Sequence, residues 1–301
     1  MTDPKALVTP DIFVMTNITS ISLEHTEYLG VTIGAIAGEK AGILKPNVPV
    51  IFDANEEEAT QVIEARAKEL SCPYYGISKN MCHIQEIKRN FIEFSISTRY
   101  DKDTRWHIPF AAEYQVMNAA LAIAAMRCLL ERGQVSLRLE EVQVTDALQK
   151  TLARTRWAGR MEEVEPDVFL DGAHNLAGVT AFVAAADKLC GQDAELPILL
   201  FSMVKEKDYK HAIQCLAQSV KWGAVLVATI PNQRGNPAEE LQQIFAEENL
   251  EVTAIDDYKK AYDRAYSMKK EGQKLFCTGS LYFIGALKEH MNSRFEEEHN
   301  D

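Results

Sequence analysis

The chain has 301 residues, 47% hydrophobic and 25% charged, an ordinary globular composition with room for about two domains. Its 32 basic residues against 44 acidic ones leave a net charge of −12, which argues against nucleic-acid backbones and anionic membrane surfaces as partners. No N-terminal stretch joins positive charge to an apolar run and nothing approaches a membrane span, so the expectation is a soluble, cytoplasmic protein.

Taken in order, the first apolar run, Ile12 to Ile18, reads as a buried strand of the parallel-sheet kind. It delivers Glu24, His25 and Thr26 into a loop at its carboxyl end, where open α/β sheets place their chemistry. Thr32 can cap a helix running to about Leu44, ahead of Pro46. On that helix Ile33, Ile36, Lys40 and Ile43 share one face. A lysine within an apolar stripe has two readings. Its stem packs while the amine reaches water or Glu39. Alternatively, desolvation frees the amine for chemistry, and addition of carbon dioxide makes a carbamate suited to holding a metal beside His25.

Val48–Phe52 is a second buried strand, Glu56–Ser71 an amphipathic helix, and Cys72–Tyr75 opens another strand. Residues 82–110 alternate as half-exposed antiparallel strands do, with Asp101–Asp103 as their turn and His83 and His107 as surface or hydrogen-bonded side chains. Residues 113–131 form an alanine-rich helix with Asn118 near its start. An amide there either packs or caps, or offers its paired donor and acceptor to an adenine edge. After a helix over Glu140–Leu152 comes a boundary near Arg154, giving domains 1–153 and 154–301. Arg154, Arg156 and Arg160 make a local basic patch in an acidic chain, fit for phosphates.

The second half repeats strand–helix units, which predicts a parallel, doubly wound sheet. Strands are expected at Val168–Leu170, Ile198–Met203, Ala224–Ile230, Val252–Ile255 and Leu275–Cys277, with helices over 176–190, 207–220, 237–248 and 257–271. Asp171-Gly172-Ala173-His174-Asn175 follows the first strand and opens a helix, where free amides favour an anion. Lys205-Glu206-Lys207-Asp208 and Asn232–Arg234 follow later strands, and Thr278-Gly279-Ser280-Leu281-Tyr282 follows the last. The acidic tail from Phe295 reads as frayed. The six cysteines show no paired spacing and read as reduced core thiols.

Several of these stretches share one resemblance. His25-Thr26-Glu27-Tyr28-Leu29-Gly30, the run from Ile36 to Pro46, Gln115 with Asn118, Trp157-Ala158-Gly159-Arg160-Met161-Glu162, the Asp171–Asn175 loop and the Thr278–Tyr282 loop stand in the order found in folylpolyglutamate synthase/dihydrofolate synthase, within the Mur ligase superfamily. The chain resembles that family over residues 1–290. The resemblance implies an α/β fold: part of a Mur-ligase-type central ATPase domain, then a Rossmann-like C-terminal domain that binds glutamate. It implies ATP-driven ligation of L-glutamate to folate or dihydropteroate through an acyl phosphate. In that family the histidine and the carbamylated lysine serve magnesium, which maps onto His25 and Lys40. Asn118, Arg160 and Asp171 map onto ATP contacts, while His174, Ser280 and Tyr282 map onto the glutamate site, assembled by closure of the two domains. The departures are Glu24 for aspartate, Gly38 within the helix, Ala158 for proline and Leu176 for proline. The family's Gly-x-x-x-x-Gly-Lys-[Ser/Thr] loop does not occur among these residues, so the match is to the C-terminal two-thirds of the enzyme. Hence three alternatives stay open: another Mur-type amide ligase, an inactive remnant that binds nucleotide or glutamate without turnover, and a split enzyme with a separate P-loop segment.

Overall fold

A computed structural model describes residues 13–23, 30–98, 101, 104–134, 141–191, 193 and 195–300. The chain divides into two compact units, residues 1–109 with 113–155, and residues 110–112 with 156–301.

In the first unit, β1 (Thr16–Ile18), β2 (Val50–Asp53) and β3 (Tyr74–Ile77) form a parallel sheet in that order. The apolar run predicts a longer first strand; among the described residues the paired part is Thr16–Ile18, on Val50–Phe52. Phe13 instead lies under the Lys45 ammonium, 5.9 Å from its ring centre. Helix α1 (Ile33–Ala41) starts where Thr32 Oγ1 accepts the Ala35 amide at 3.1 Å. It ends at Ala41, three residues earlier than its apolar stripe suggests, and Ile43 leaves that stripe for solvent. Ile36, Ala37 and Ala41 pack with Val50 and Phe52, and with Ala59, Ile63 and Ala67 of α2 (Glu57–Glu69). Gly38 faces outward with nothing near the place a Cβ would occupy. Glycine there forfeits helix propensity with no steric return, so Gly38→Ala is expected to raise stability by about 0.5–1 kcal/mol, read as a higher urea midpoint.

An antiparallel sheet follows: β4 (Cys82–Ile87), β5 (Ile92–Ile96) and β6 (Trp106–Ile108). Ile92, Phe94 and Ile96 are buried while Glu93 and Ser95 between them are partly exposed, the alternation expected. His83 Nε2 lies 2.7 Å from Ser97 Oγ, and His107 stacks on Phe91 at 4.8 Å. Helices α3 (Tyr114–Glu131) and α4 (Glu141–Arg154) complete the unit. Asp101, in the stretch expected to turn between strands, is 1% exposed. Its carboxylate accepts Arg127 Nη2 at 2.9 Å and the Thr98 hydroxyl at 2.7 Å. A buried charge requires that pairing.

The second unit holds a six-stranded sheet in the order β11-β10-β9-β12-β8-β7. Its strands are β7 (Glu162–Glu165), β8 (Val168–Asp171), β9 (Ile198–Phe201), β10 (Ala224–Thr229), β11 (Thr253–Asp257) and β12 (Leu275–Thr278). All are parallel except β7, an antiparallel edge strand whose Glu-Glu-Val-Glu gives no strand signal. Helices α5 (Leu176–Cys190), α6 (Tyr209–Ser219), α7 (Ala238–Glu247), α8 (Tyr258–Met268) and α9 (Leu281–Asn300) cover it. One face, with Val168, Leu170, Leu275 and Cys277, packs on Tyr262, Phe283 and Leu287 of α8 and α9. From the other face Phe276 meets Phe182 of α5 edge-on at 5.9 Å, and Phe201 meets Phe245 of α7 at 5.8 Å. The sheet is therefore doubly wound. The acidic tail continues α9 as helix to Asn300.

All six cysteines are free, and burial pushes the Cys82 and Cys190 thiols up to about 11. Among the described residues, no helix is long and apolar enough to cross a membrane.

Candidate active site

Strand β12 lies between β8 and β9, and its register sets Thr278 beside both Asp171 and Phe201. The loops that leave these three strands therefore open on one edge of the sheet. Asp171–Asn175, Ser202–Val204 and Thr278–Tyr282 meet there despite wide separation in the chain. Glycines make the approach possible. Gly279 has φ +116, and a Cβ on it would collide with the Ser202 carbonyl oxygen. At Gly172 a Cβ would strike Leu281 and lie 3.0 Å from Arg160 Nη1. The missing side chain lets the guanidinium rest against the backbone of the loop.

Asp171 is 3% exposed and does not stand out into the edge. One carboxylate oxygen accepts the Met161 amide at 2.8 Å and the other the Ala173 amide at 2.9 Å. It thereby ties the end of β8 to the turn that carries Arg160. Within that turn Gly159 has φ +68 and Met161 has φ +48. The Gly159 amide donates to Glu162 Oε2 at 2.9 Å, and its carbonyl accepts the Gly172 amide at 2.8 Å. Of the three arginines read as a basic patch, Arg160 is set against this edge. Arg154 closes α4 in the first unit and is exposed.

His174 Nδ1 lies 2.9 Å from the Gly172 carbonyl oxygen. A carbonyl only accepts, so Nδ1 carries a proton, and in the neutral form of the ring Nε2 offers the lone pair. Asn175 caps α5, its side-chain oxygen accepting the Gly178 amide at 2.7 Å. Ser280 begins α9 in the same way: its hydroxyl oxygen accepts the Tyr282 amide at 3.2 Å and its carbonyl the Ile284 amide at 3.0 Å. Ser280 is 2% exposed, whereas Tyr282 is 59% exposed. Two helix N-termini thus bring partial positive charge to one edge, an arrangement suited to anions.

The charged loop after β9 is more organised than solvated charges would be. Arg234 Nε donates to Glu206 Oε1 at 2.9 Å, and its guanidinium lies 5.6 Å from the Tyr282 ring centre. The Glu206 backbone amide and the Arg234 guanidinium hold the Glu206 carboxyl below the usual carboxylate range. Asp208 caps α6. The sequence gives no sign of this Glu206–Arg234–Tyr282 chain, because its members come from three different loops.

In the first unit Lys40 is half-buried in the last turn of α1, where the helix dipole favours a cation. Glu24, His25 and Thr26 lie outside the described residues. Asn118 is exposed in the second turn of α3, so it is no helix cap, and its Nδ2 donates to Gln115 Oε1 at 2.9 Å. Among the described residues, no three His, Cys, Asp or Glu side chains are grouped to hold a metal ion.

Two family models match the chain in succession: the Mur ligase middle domain over residues 3–126, and the Mur ligase glutamate ligase domain over residues 159–281. The chain is 30% identical over 282 residues to the dihydrofolate synthase/folylpolyglutamate synthase of Bacillus subtilis, covering 92% of this chain and 63% of that protein. It is 24% identical over 292 residues to the folylpolyglutamate synthase of Lacticaseibacillus casei, covering 96% and 64%. The chain thus spans about three-fifths of the length of these relatives. Its fold matches Mycobacterium tuberculosis folylpolyglutamate synthase complexed with ADP and AMPPCP, at a TM-score of 0.77 and 23% identity, over 95% of this chain and 64% of that one. It also matches E. coli FolC in complex with DHPP and ADP, at a TM-score of 0.73 and 23% identity, over 92% and 61%. With a middle domain followed by a glutamate ligase domain, the chain belongs to the Mur ligase family.

Proposed function

We propose that this chain serves ATP-dependent ligation of L-glutamate to a folate or dihydropteroate carboxylate. The reading rests on one observation above the others. Two motif loops and an arginine, distant in sequence, converge on one sheet edge where two helices begin. The relatives' names supply the substrate class.

Arg160, Asn118 and Asp171 are assigned to ATP. The donor set suits a polyphosphate: a guanidinium held against Gly172, and amides at a helix start. Because Asp171 is buried and bonded to two amides, its part is to fix the Arg160 turn and the loop amides. His174, Ser280 and Tyr282 are assigned to glutamate. His174 Nε2 accepts a proton from the incoming ammonium group, Ser280 sets the start of α9, and Tyr282 walls the site. Phosphate from ATP activates the folate-linked carboxylate, and the glutamate amine then displaces it.

His25 and Lys40 are assigned to magnesium, which when bound neutralises phosphate oxygens as charge moves. Lys40 cannot ligate a cation as its ammonium, which has no lone pair, whereas a carbamate offers two oxygens. Carbon-13 bicarbonate should give a carbamate resonance that Lys40→Ala removes.

The reading is tested by labelled-glutamate incorporation into dihydropteroate or tetrahydrofolate with ATP, using the chain coexpressed with a segment that carries a phosphate-binding loop. Equimolar ADP and product are expected. Ligation of a different amino acid to a different acid would overturn the reading. In that assay His174→Ala should raise the glutamate KM roughly tenfold, since one buried or charge-assisted hydrogen bond is worth ~1–3 kcal/mol. The ATP KM should move little; equal losses for both substrates would refute the assignment.

A further inference from the structure

We infer that Glu162 and Lys288 are positioning residues that hold the Arg160 turn in shape, an inference that rests on Arg160 facing the nucleotide. Arg160 stands between two residues of left-handed backbone, Gly159 at φ +68 and Met161 at φ +48. Such a turn does not persist by itself, because the left-handed conformation is disfavoured for a side chain like that of methionine. Asp171 holds its far side through the Met161 amide. On the near side the holding group is Glu162. Its Oε2 accepts the Gly159 amide at 2.9 Å, and its Oε1 accepts Lys288 Nζ at 2.5 Å.

Lys288 lies two turns into α9, the helix whose first residues carry Ser280 and Tyr282 to the sheet edge. Ile284 of that helix packs so closely on Gly159 that a Cβ there would collide with it. One helix therefore grips the arginine turn at two points and also presents two of the residues assigned to glutamate. As a bare ion pair, Lys288–Glu162 would add little to stability, since the side chains are 39% and 27% exposed. Its value is geometric. The ammonium keeps the Glu162 carboxylate turned inward to the Gly159 amide, which faces Arg160 toward Gly172. Any movement of α9 as glutamate binds would then be transmitted to the residue that contacts ATP.

Two readouts separate this role from simple structural support. The first is trypsin cleavage after Arg160 in the native 301-residue chain, followed by mass spectrometry. A held turn is cut slowly, so Lys288→Met should speed cleavage at Arg160–Met161 roughly fivefold or more while the melting temperature moves by only about 2 °C. Lys288→Arg should restore the slow rate. Unchanged cleavage in both Lys288→Met and Glu162→Leu would overturn the inference.

The second readout is the ATP KM in the ligation assay. Arg160→Ala and Glu162→Leu should each raise it roughly five- to tenfold, and the double variant should be no worse than Arg160→Ala alone. Losses that multiply would show that Glu162 does not act through Arg160, and would overturn the inference. Faster cleavage in Lys288→Met together with an unaltered KM in Arg160→Ala would instead refute the nucleotide assignment, and the positioning role with it. Should Glu162→Leu fold poorly, Lys288→Met carries both measurements.

Discussion

Asp171→Ala is expected to lower the stability of the second unit by ~2–6 kcal/mol and to abolish ligation. The carboxylate is 3% exposed and accepts two backbone amides, those of Met161 and Ala173. Alanine leaves both donors buried without an acceptor, at roughly 1–3 kcal/mol each. It also releases the end of β8 from the Arg160 turn, so the guanidinium loses its seat beside Gly172. Asp171→Asn keeps one oxygen but turns an amide group toward a backbone N–H, and should fall between alanine and the native residue. Urea unfolding of the three proteins, paired with ADP release, tests this ordering. A stable, active alanine variant would contradict it.

Gly279→Ala should be comparably damaging, at ~2–6 kcal/mol. The glycine holds φ +116, a backbone state that costs an ordinary residue roughly 1–3 kcal/mol. The added methyl group would collide with the Ser202 carbonyl oxygen and the Phe201 ring, and overpacking of that kind costs another ~1–3 kcal/mol. Neither obstacle can relax cheaply, because Phe201 is fully buried and Ser202 donates its hydroxyl to the Ala228 carbonyl at 2.5 Å. Gly133→Ala provides the control. Its φ of +65 is also left-handed, but nothing surrounds the site, so it should cost clearly less. Equal midpoints for the two variants would show that close packing at the sheet edge does not matter.

Much of this architecture is legible in the residues, and the reasons are local. Helix α5 occupies residues 176–190 as its pattern predicts, because Asn175 supplies a cap and Gly191 a stop. Strands β8, β9, β10 and β12 announce themselves as short apolar runs because both of their faces are buried, whereas the edge strand β11, Thr-Ala-Ile-Asp-Asp, is largely exposed. Strand β7 stays hidden, since an edge strand exposes its side chains and Glu-Glu-Val-Glu reads as solvated charge. The Asp101–Arg127 pair is invisible for a different reason. Each residue looks like ordinary surface, and only the fold brings them within 2.9 Å. For the candidate site, motif wording picks out Asp171, His174, Ser280 and Tyr282, and β-strand ends are where such residues belong. The wording does not reveal that Asp171 and Ser280 spend their oxygens on backbone amides, or that Glu206 and Arg234 reach Tyr282.

The place of β12 has a consequence for how the second unit comes off the ribosome. It is the last of the six strands to be synthesised, yet it sits between β8 and β9. Before it emerges, the native partners available are β7 for β8 and β10 for β9, which leaves one edge of unpaired backbone N–H and C=O groups on each pair. Once β10 is complete at Thr229, the native pairings open to the nascent unit give only two half-sheets, β7 with β8 and β9 with β10, until Leu275 begins β12. Its insertion joins the halves and, in the same event, brings the Thr278–Tyr282 loop against the Asp171–Asn175 loop. The sheet edge that gathers the candidate site and the continuous sheet beneath it are completed by one strand at one moment, so a chain stalled before Leu275 has neither.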